Sequence, residues 1–530
     1  MKLRPFSLSF LMSLAVSGLA LADDTDSHAG PLGKVSFPTS CDPKVQPAFE
    51  RAVAMLHSFW YSAGEKAFRD VLKADPQCAI ATWGIASILM SNPLAGQGAS
   101  PKGAEVAQAA IDEGRRIGAK TERERGYIEA VAAYYKDYAT RSEKDRQASR
   151  AVAYEALAKK YPTDDEAQIF YALYLAGTQT QADQTYAAYL KAAAILEDEF
   201  KKYPDHPGVA HYLIHSYDAP PIADKGLVAA RRYAGIAPDA PHALHMPSHI
   251  FTRVGSWQES IATNMRSREV AKAGNEPDEA YHASDYMVYA NLQLARDAEA
   301  RRNIDDAMKI PGASPARFVA PYAMAAMPAR YAMERGAWQE AANLEPLGSS
   351  FPFVESITYF ARALGSARIG DLAAARKDAE KLESFHNALL AAKNNYWATE
   401  VEVQQLAVAG WIALGEGKSE DALKFMRAAA DLEDRNEKHI VTPGRIVPAR
   451  ELLGEMLLEL KQPQAALKEF EASQQREPNR FRNYLGSARA AEMAGDRAKA
   501  AAYYQKLLAL AKDADTARPE LVIAKKFAAL

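Results

Sequence analysis

A regular spacing of about 34 residues between equivalent positions constrains the fold of this chain more than any other feature. Ala466 and Ala500 are separated by this spacing, and each is followed four residues later by an aromatic side chain, Phe470 or Tyr504. A period of this length predicts a helical repeat, in which one unit cannot bury its apolar face alone and therefore stacks on its neighbours. The 530 residues are thus expected to form a stack of repeats rather than several separate globular domains.

Turn signals recur at the positions where paired helices would meet. From Leu32 onward apolar residues are spaced by three and four, and strand-like alternation is almost absent, so the sequence predicts an all-α fold. A Gly favours a left-handed helix end, and a Pro disfavours helix in the residue before it. The turns within pairs contain Gly255, Gly336, Gly370, Gly417 and Gly495, and the ends of second helices contain Pro76, Pro162, Pro204, Pro238 and Pro478.

These features make residues 41–510 similar to the tetratricopeptide repeat family. The resemblance implies a superhelical solenoid of antiparallel helix pairs, whose concave groove binds a protein or peptide partner. Several segments also resemble a broad group of exported bacterial tetratricopeptide-repeat proteins that have no agreed activity: 56–61, 75–79, 81–84, 211–215, 242–251 and 437–451. This second resemblance implies a specialised site but no particular reaction.

The N-terminus has the pattern of a secretory signal. Lys2 and Arg4 precede an apolar run that ends in Ala20-Leu21-Ala22, so we expect residues 1–22 to be removed after Ala22. A membrane anchor is the alternative, but serines interrupt the run and no later segment reaches membrane-spanning length. We therefore expect a periplasmic or secreted protein without a membrane span. Residues 23–40 would form a linker, residues 41–510 the repeats and residues 511–530 a C-terminal helical tail.

The charge of the chain argues against nucleic acid as a partner. Its 64 Lys and Arg residues nearly balance 67 Asp and Glu residues, and the net charge is −3. A chain without a basic excess lacks the field that holds a phosphate backbone. No nucleic-acid partner is therefore expected.

Both cysteines lie at the boundary of the first repeat. Cys41 precedes the first helix, and Cys78 opens the corresponding helix about one repeat later, so the two positions should be neighbours. In an oxidising compartment such a pair is expected to form a disulfide. The alternative is two unpaired buried thiols, since a bond requires Cα atoms within about 7 Å of each other.

Two histidine pairs share the period of the repeat. His211 and His215 are four residues apart, as are His245 and His249, and the second pair follows the first by the spacing that separates Ala466 from Ala500. Side chains at i and i+4 share a helix face, and adjacent helices pack about 8 to 10 Å apart, so the four imidazoles can converge. The family resemblance places these positions, together with His242, on the groove face of first helices. A looser count adds His282 and Asp285 on the next first helix.

Neutral imidazole is a ligand for zinc, copper, nickel and iron, so this cluster predicts a divalent transition-metal site. Two alternatives remain: the histidines contact a groove ligand without a metal, or they are polar groups satisfied between helices. Pro247 complicates the second pair, because it disfavours helix just before itself and predicts a bent or late-starting helix.

Two functions follow from these features. The first is an exported solenoid that binds a protein or peptide partner in its groove and has a histidine-lined metal pocket within it. The second is a metal-dependent enzyme, in which the histidines leave a coordination position open and long loops cover the groove. Glu437 and His439, in the loop that ends at Pro448, and Asp285 are the accessory acid or base candidates.

Overall fold

The computed structural model describes residues 30–528, so the expected signal peptide lies outside the described residues. In this range the chain forms α-helices and two short 3-10 turns, Pro43–Val45 and Ala223–Gly226, and no strand. The helices α1 to α13 are, in order, Gln46–His57, Tyr61–Ala74, Ile80–Leu89, Pro101–Ile117, Glu122–Tyr135, Glu143–Lys160, Asp165–Ala176, Ala187–Lys202, Pro207–Ser216, Leu227–Ile236, Pro241–His245, Pro247–Arg253 and Trp257–Ala273. The helices α14 to α26 are Pro277–Gln293, Asp297–Ala307, Val319–Glu334, Trp338–Ala342, Pro352–Ile369, Leu372–Ala391, Asn395–Gly415, Ser419–Glu433, Ala449–Glu459, Pro463–Arg476, Phe481–Met493, Arg497–Leu510 and Pro519–Ala528.

Successive helices form antiparallel pairs that stack in chain order. Each first helix packs against the second helix that follows it, as α18 does against α19 and α20 against α21. The first helices of neighbouring pairs also contact each other, for example α14 with α16 and α16 with α18. The sequence-based prediction of an all-α, tetratricopeptide-type solenoid is therefore confirmed.

The turns within pairs have the predicted backbone conformation. Gly255, Gly336, Gly370, Gly417 and Gly495 all have positive φ values, between 65° and 88°. A side chain in this region is strained, whereas glycine has no Cβ to clash. Gly84 is required for close packing where α3 crosses α2, because an added Cβ would lie 2.3 to 2.5 Å from the ring of Phe68.

The N-terminal segment and the disulfide both contact the first helix pairs. Phe37 is buried, with its ring 5.3 Å from the rings of both Phe49 and Trp83, so residues 31–40 pack against the repeats. Cys41 and Cys78 form the predicted disulfide, with their Cα atoms 4.7 Å apart.

Late helix pairs contact the middle of the chain. Trp257 Nε1 donates a hydrogen bond of 2.7 Å to the carbonyl oxygen of Asn479, and Arg518 Nε lies 2.9 Å from Asp297 Oδ2. These contacts connect helix pairs that are far apart in sequence.

Among residues 30–528 no helix combines the length and apolar character that crossing a membrane requires.

Candidate metal centre

Six buried histidines from three neighbouring first helices form two groups of three. Their nitrogen atoms lie within 4.8 Å of one another inside each group. The first triad is His211, His215 and His242, and the second triad is His245, His249 and His282. Helix α9 carries His211 and His215, the broken helix α11–α12 carries His242, His245 and His249, and α14 carries His282.

The four histidines predicted from the sequence do not converge on one point, but belong to two separate groups. Each pair predicted from the sequence is completed by a third histidine from the next first helix, either His242 or His282. The two triads are adjacent, because the ring centroids of His215 and His249 are 5.7 Å apart. The structure thus brings together all four predicted ligands and two of the accessory residues, as two sites rather than one.

Pro247 interrupts the helix without moving His245 out of register. The helix is interrupted at Met246, because Pro247 has no N–H to donate to the next helical hydrogen bond. The backbone stays helical there, since Met246 has a φ of −52° and a ψ of −38°. His245 Nε2 and His249 Nε2 remain 3.0 Å apart on one helix face. The bend expected at Pro247 therefore leaves the i,i+4 pair intact.

Hydrogen bonds fix the tautomers of two histidines of the second triad, His245 and His249. Asn264 Nδ2 donates to the carbonyl of Ser260, which leaves its Oδ1 to accept from His245 Nδ1 at 2.7 Å. His249 Nδ1 lies 2.9 Å from the carboxylate oxygen Oδ2 of Asp218. Because both Nδ1 atoms donate, the neutral rings turn two Nε2 lone pairs toward each other. Two lone pairs at 3.0 Å repel each other unless a cation lies against both.

The first triad has a similar arrangement, but hydrogen bonds determine fewer of its tautomers. His211 Nδ1 donates to the backbone oxygen of His57 at 2.6 Å, so its Nε2 carries the lone pair, 3.1 Å from His215 Nε2. His242 Nδ1 lies 3.4 Å from Glu279 Oε2, and its buried Nε2 has no hydrogen-bond partner among the described residues. His215 Nδ1 has none there either, so the tautomer of this ring is not fixed by a neighbour.

Burial favours the neutral form of five of the six imidazoles, those of His211, His215, His245, His249 and His282. It is the main reason why the pKa of His249 falls to about 4 and that of His282 to about 3. The same cause holds the pKa values of His211, His215 and His245 well below their usual range. Neutral imidazoles have the lone pair that coordinates a metal ion.

A third group, His57, Glu166 and His206, is satisfied by hydrogen bonds alone. Glu166 accepts from both rings, from His57 Nε2 at 2.9 Å and from His206 Nε2 at 3.0 Å. The remaining nitrogens accept from Tyr212 Oη and from the amide of Val209. Every lone pair of these two rings has a donor, so this group is not a candidate metal site.

The loop formed by residues 436–448 lies over the second triad. The Tyr286 ring packs 4.6 Å from that of His245 and 5.4 Å from that of His249, and its hydroxyl donates to the carbonyl of Thr442 in the loop. Lys438 Nζ, also in the loop, lies 3.5 Å from Asp218 Oδ2. The loop therefore packs against residues that contact the second triad, as the alternative with long loops over the groove supposed.

Buried charges hold this loop in place. Arg253 Nε donates to Asp218 Oδ1 at 2.7 Å, and its Nη1 donates to Glu437 Oε2 at 3.2 Å. Glu437 also accepts from Tyr186, and its amide donates to the carbonyl of Gln181. Glu437 thus connects the loop to Arg253, which supports the carboxylate that orients His249.

The other accessory candidates do not reach the triads. Asp285 lies 3.4 Å from Arg330, and burial raises its pKa to about 6. His439 stacks on Trp397, with ring centroids 5.0 Å apart, in a separate aromatic cluster. Neither residue is positioned as a ligand or as an acid or base at the triads.

Sequence reasoning missed Asp218, Asn264 and Lys438. Asp218 follows His215 by three residues, a spacing that could have drawn attention to it. Asn264 lies on the second helix α13, and Lys438 is several repeats beyond His249 in the chain, so no local pattern indicates either.

Comparison with protein-family models and with curated proteins gives no match. Solved structures similar to this chain include a human IFIT1 dimer with PPP-AAAA, at 13% identity and a TM-score of 0.38, covering 82% of this chain and 90% of that one. Another is the APC/C hetero-tetramer Cut9-Hcn1, at 12% identity and a TM-score of 0.30, covering 92% of this chain and 95% of that one. At such scores neither likeness bears on function, and the fold assignment rests on the helix pairs themselves.

Proposed function

We propose that this chain is a metalloprotein that binds two transition-metal ions, one in each histidine triad, and uses them in catalysis. The observation that carries the proposal is the pair of Nε2 lone pairs of His245 and His249, 3.0 Å apart with both Nδ1 atoms donating elsewhere. Zinc binds imidazole nitrogen at about 2.0 to 2.1 Å, so two ligands of one tetrahedral ion lie about 3.3 Å apart. A metal ion between these atoms needs little movement of either ring.

The ligand set narrows the choice of metal. All six candidate ligands are imidazole nitrogens, a set that suits zinc, copper, nickel or iron rather than magnesium or calcium. The second-sphere partners Asp218 and Asn264 orient the rings, as carboxylates and carbonyl oxygens do for histidines that bind metals.

The number of ligands favours catalysis over a structural role. Structural zinc sites are closed by four protein ligands, whereas catalytic sites have three and keep a position open. Each triad supplies three histidines. We therefore favour the metal-dependent enzyme over the partner-binding solenoid, and a small molecule as the ligand of this site.

A protein or peptide in the groove is the weaker interpretation. Residues 436–448 lie over the second triad, so a peptide would have to displace the loop to reach those histidines.

We also propose that the protein is exported to the periplasm or secreted. The N-terminal sequence and the disulfide between Cys41 and Cys78 support this location.

Elemental analysis tests the metal proposal. The full mature chain, purified without a histidine tag, is exposed separately to zinc, copper, nickel and iron and then dialysed. Two equivalents of a transition metal are expected. His386→Ala, a half-exposed histidine on α19 outside every cluster, is the control and should bind as much metal as the wild type. Absence of stoichiometric uptake of all four metals at neutral pH would overturn the proposal.

A further inference from the structure

The two triads form one continuous array of imidazoles. The ring centroid of His242 lies 5.1 Å from that of His211 and 6.0 Å from that of His245, so this ring contacts both groups. His215 and His249 form a second contact between the groups, with centroids 5.7 Å apart. Both groups consist of histidine alone. A metal ion in either triad would therefore be bound by imidazole nitrogen, which brings no negative charge to the ion.

Aromatic rings pack against both triads. The ring centroid of Phe59 lies 4.4 Å from that of His211 and 5.5 Å from that of His242. Tyr286 covers the second triad in the same way, with its ring 5.3 Å from that of His282. Both aromatic side chains are buried, Phe59 at 4% exposure and Tyr286 at 1%. Surroundings of this kind have a low dielectric constant and stabilise ionic charge poorly.

The charged side chains next to the triads nearly cancel. Glu279 Oε2 lies 3.4 Å from His242 Nδ1, and Asp218 accepts a hydrogen bond from His249. Together with the ion pairs that continue from Asp218, they give three carboxylates and three cations: Asp218, Glu279 and Glu437 against Arg253, Lys438 and Arg476. Two further ion pairs add no net charge: Asp278–Arg317 and Asp285–Arg330.

This charge balance favours metal ions of low charge. Glu166 accepts from His57, whose backbone oxygen accepts from His211, and this carboxylate leaves the surroundings with a single net negative charge. Two monovalent ions would bring the total to one positive charge, whereas two divalent ions would bring it to three. The cost of transferring an ion into a medium of low dielectric constant rises with the square of its charge, so it is about four times larger for a divalent ion of the same size.

We infer that the two triads bind copper as Cu(I), one ion in each, in preference to zinc and other divalent ions. This inference rests on the proposed metal site and names its cofactor. Among the metals that imidazole binds, copper has the stable monovalent form. Cu(I) is also stable with three nitrogen ligands, so each triad can supply its complete coordination. The same charge effect raises the reduction potential of the bound copper, because Cu(II) is held less tightly than Cu(I).

Competition between ions tests the inference. The full mature chain, purified without a histidine tag and loaded with two equivalents of zinc, is titrated anaerobically with Cu(I) in the presence of ascorbate. Gel filtration followed by elemental analysis then counts both metals in the protein. Two equivalents of Cu(I) should displace most of the zinc, and potentiometry of the copper-loaded protein should give a reduction potential above that of aqueous copper. Retention of zinc in both triads, or a potential below that of aqueous copper, would overturn the inference.

Glu279→Gln separates an effect of charge from an effect of geometry at the first triad. The attraction between a carboxylate and an ion is proportional to the charge of the ion, so the loss of binding free energy should be about twice as large for zinc as for Cu(I). A loss of Cu(I) affinity of about tenfold would then accompany a loss of zinc affinity of about a hundredfold. A change in the orientation of His242 alone would weaken both ions by the same factor, and that result would contradict the argument from charge. The exposed Glu402→Gln on α20 is the control and should equal the wild type for both ions.

Metal content separates this inference from the proposed function. If the wild type takes up zinc or another divalent transition metal and Cu(I) does not displace it, the inference about copper is wrong while the metal site stands. If the wild type takes up no transition metal, Cu(I) included, the proposed function fails, and this inference fails with it.

Discussion

Asp218 Oδ2 lies 2.9 Å from Nδ1 of His249, and this contact determines which nitrogen of the imidazole is free to bind a metal. A carboxylate only accepts, so the proton stays on Nδ1 and the Nε2 lone pair points toward His245. The other oxygen of Asp218 accepts from Arg253 Nε at 2.7 Å, which fixes the rotation of the carboxylate.

Replacing Asp218 with Asn should reverse this tautomer. Arg253 would retain the amide oxygen, so the amide NH₂ would face His249 and force its Nδ1 to accept. The ring proton would then occupy Nε2 and block coordination. We expect zinc affinity at the second triad to fall about 10- to 100-fold, the usual effect of losing a second-sphere partner. Calorimetric titration with zinc measures it.

The matched control for this variant is Asp198→Asn, an exposed position on α8. Circular dichroism of both variants should show the helical content of the wild type. Equal zinc affinity in Asp218→Asn and the control would show that Asp218 does not orient a metal ligand.

The disulfide provides a prediction about stability. Cys41 and Cys78 are 37 residues apart, and closing a loop of this length in the unfolded chain corresponds to about 4 kcal/mol in the chain-entropy model. The double variant Cys41→Ser with Cys78→Ser should therefore lower the free energy of unfolding by a few kcal/mol, measured by urea denaturation of the metal-free protein. An unchanged midpoint and slope would contradict this expectation. Zinc binding should be unaffected, since the triads do not involve either cysteine.

The repeat period accounts for what the sequence predicted well. An offset of one repeat between His211 and His245 brings their side chains to equivalent positions on adjacent first helices, and turn glycines mark where each pair reverses. The sequence did not reveal how six histidines divide into two triads. That division follows from the positions of His242 on α11 and His282 on α14, each of which completes a pair carried by the preceding first helix, and side-chain packing between helices determines these positions.

The enzyme alternative foresaw loops over the groove, but the contacts of the loop could not have been predicted, for a different reason. Glu437 and Lys438 contact Arg253 and Asp218 because late helix pairs contact the middle of the chain, as Trp257 and Asn479 do. Periodicity describes how neighbouring repeats stack, but it contains no information on contacts between repeats that are distant in sequence.

Acid should destabilise the metal-free protein in a defined pH range. Burial lowers the pKa of His249 to about 4 and that of His282 to about 3, whereas in the unfolded chain both should titrate near 6.5. Between these values the unfolded state binds more protons than the native state, so stability is lost as the pH falls below about 6.5. Each imidazole should contribute a loss of about 2 kcal/mol between pH 6.5 and pH 5.

Urea denaturation at several pH values measures this effect. His282→Phe preserves an aromatic ring but removes one titrating group, so its loss of stability between pH 6.5 and pH 5 should be smaller than in the wild type. If both proteins lost the same stability over this interval, the imidazole would not be the group that takes up the proton.

Two double variants test whether the triads are separate sites. His245→Ala with His249→Ala removes two ligands of the second triad, and His211→Ala with His215→Ala removes two of the first. One remaining histidine cannot hold a metal ion against dialysis, so each double variant should retain one equivalent of the two expected for the wild type. Elemental analysis counts the metal, and circular dichroism should show nearly unchanged helical content. If either double variant lost both ions, the six histidines would have to form one cooperative centre, and His242 and His282 would be ligands of that shared centre.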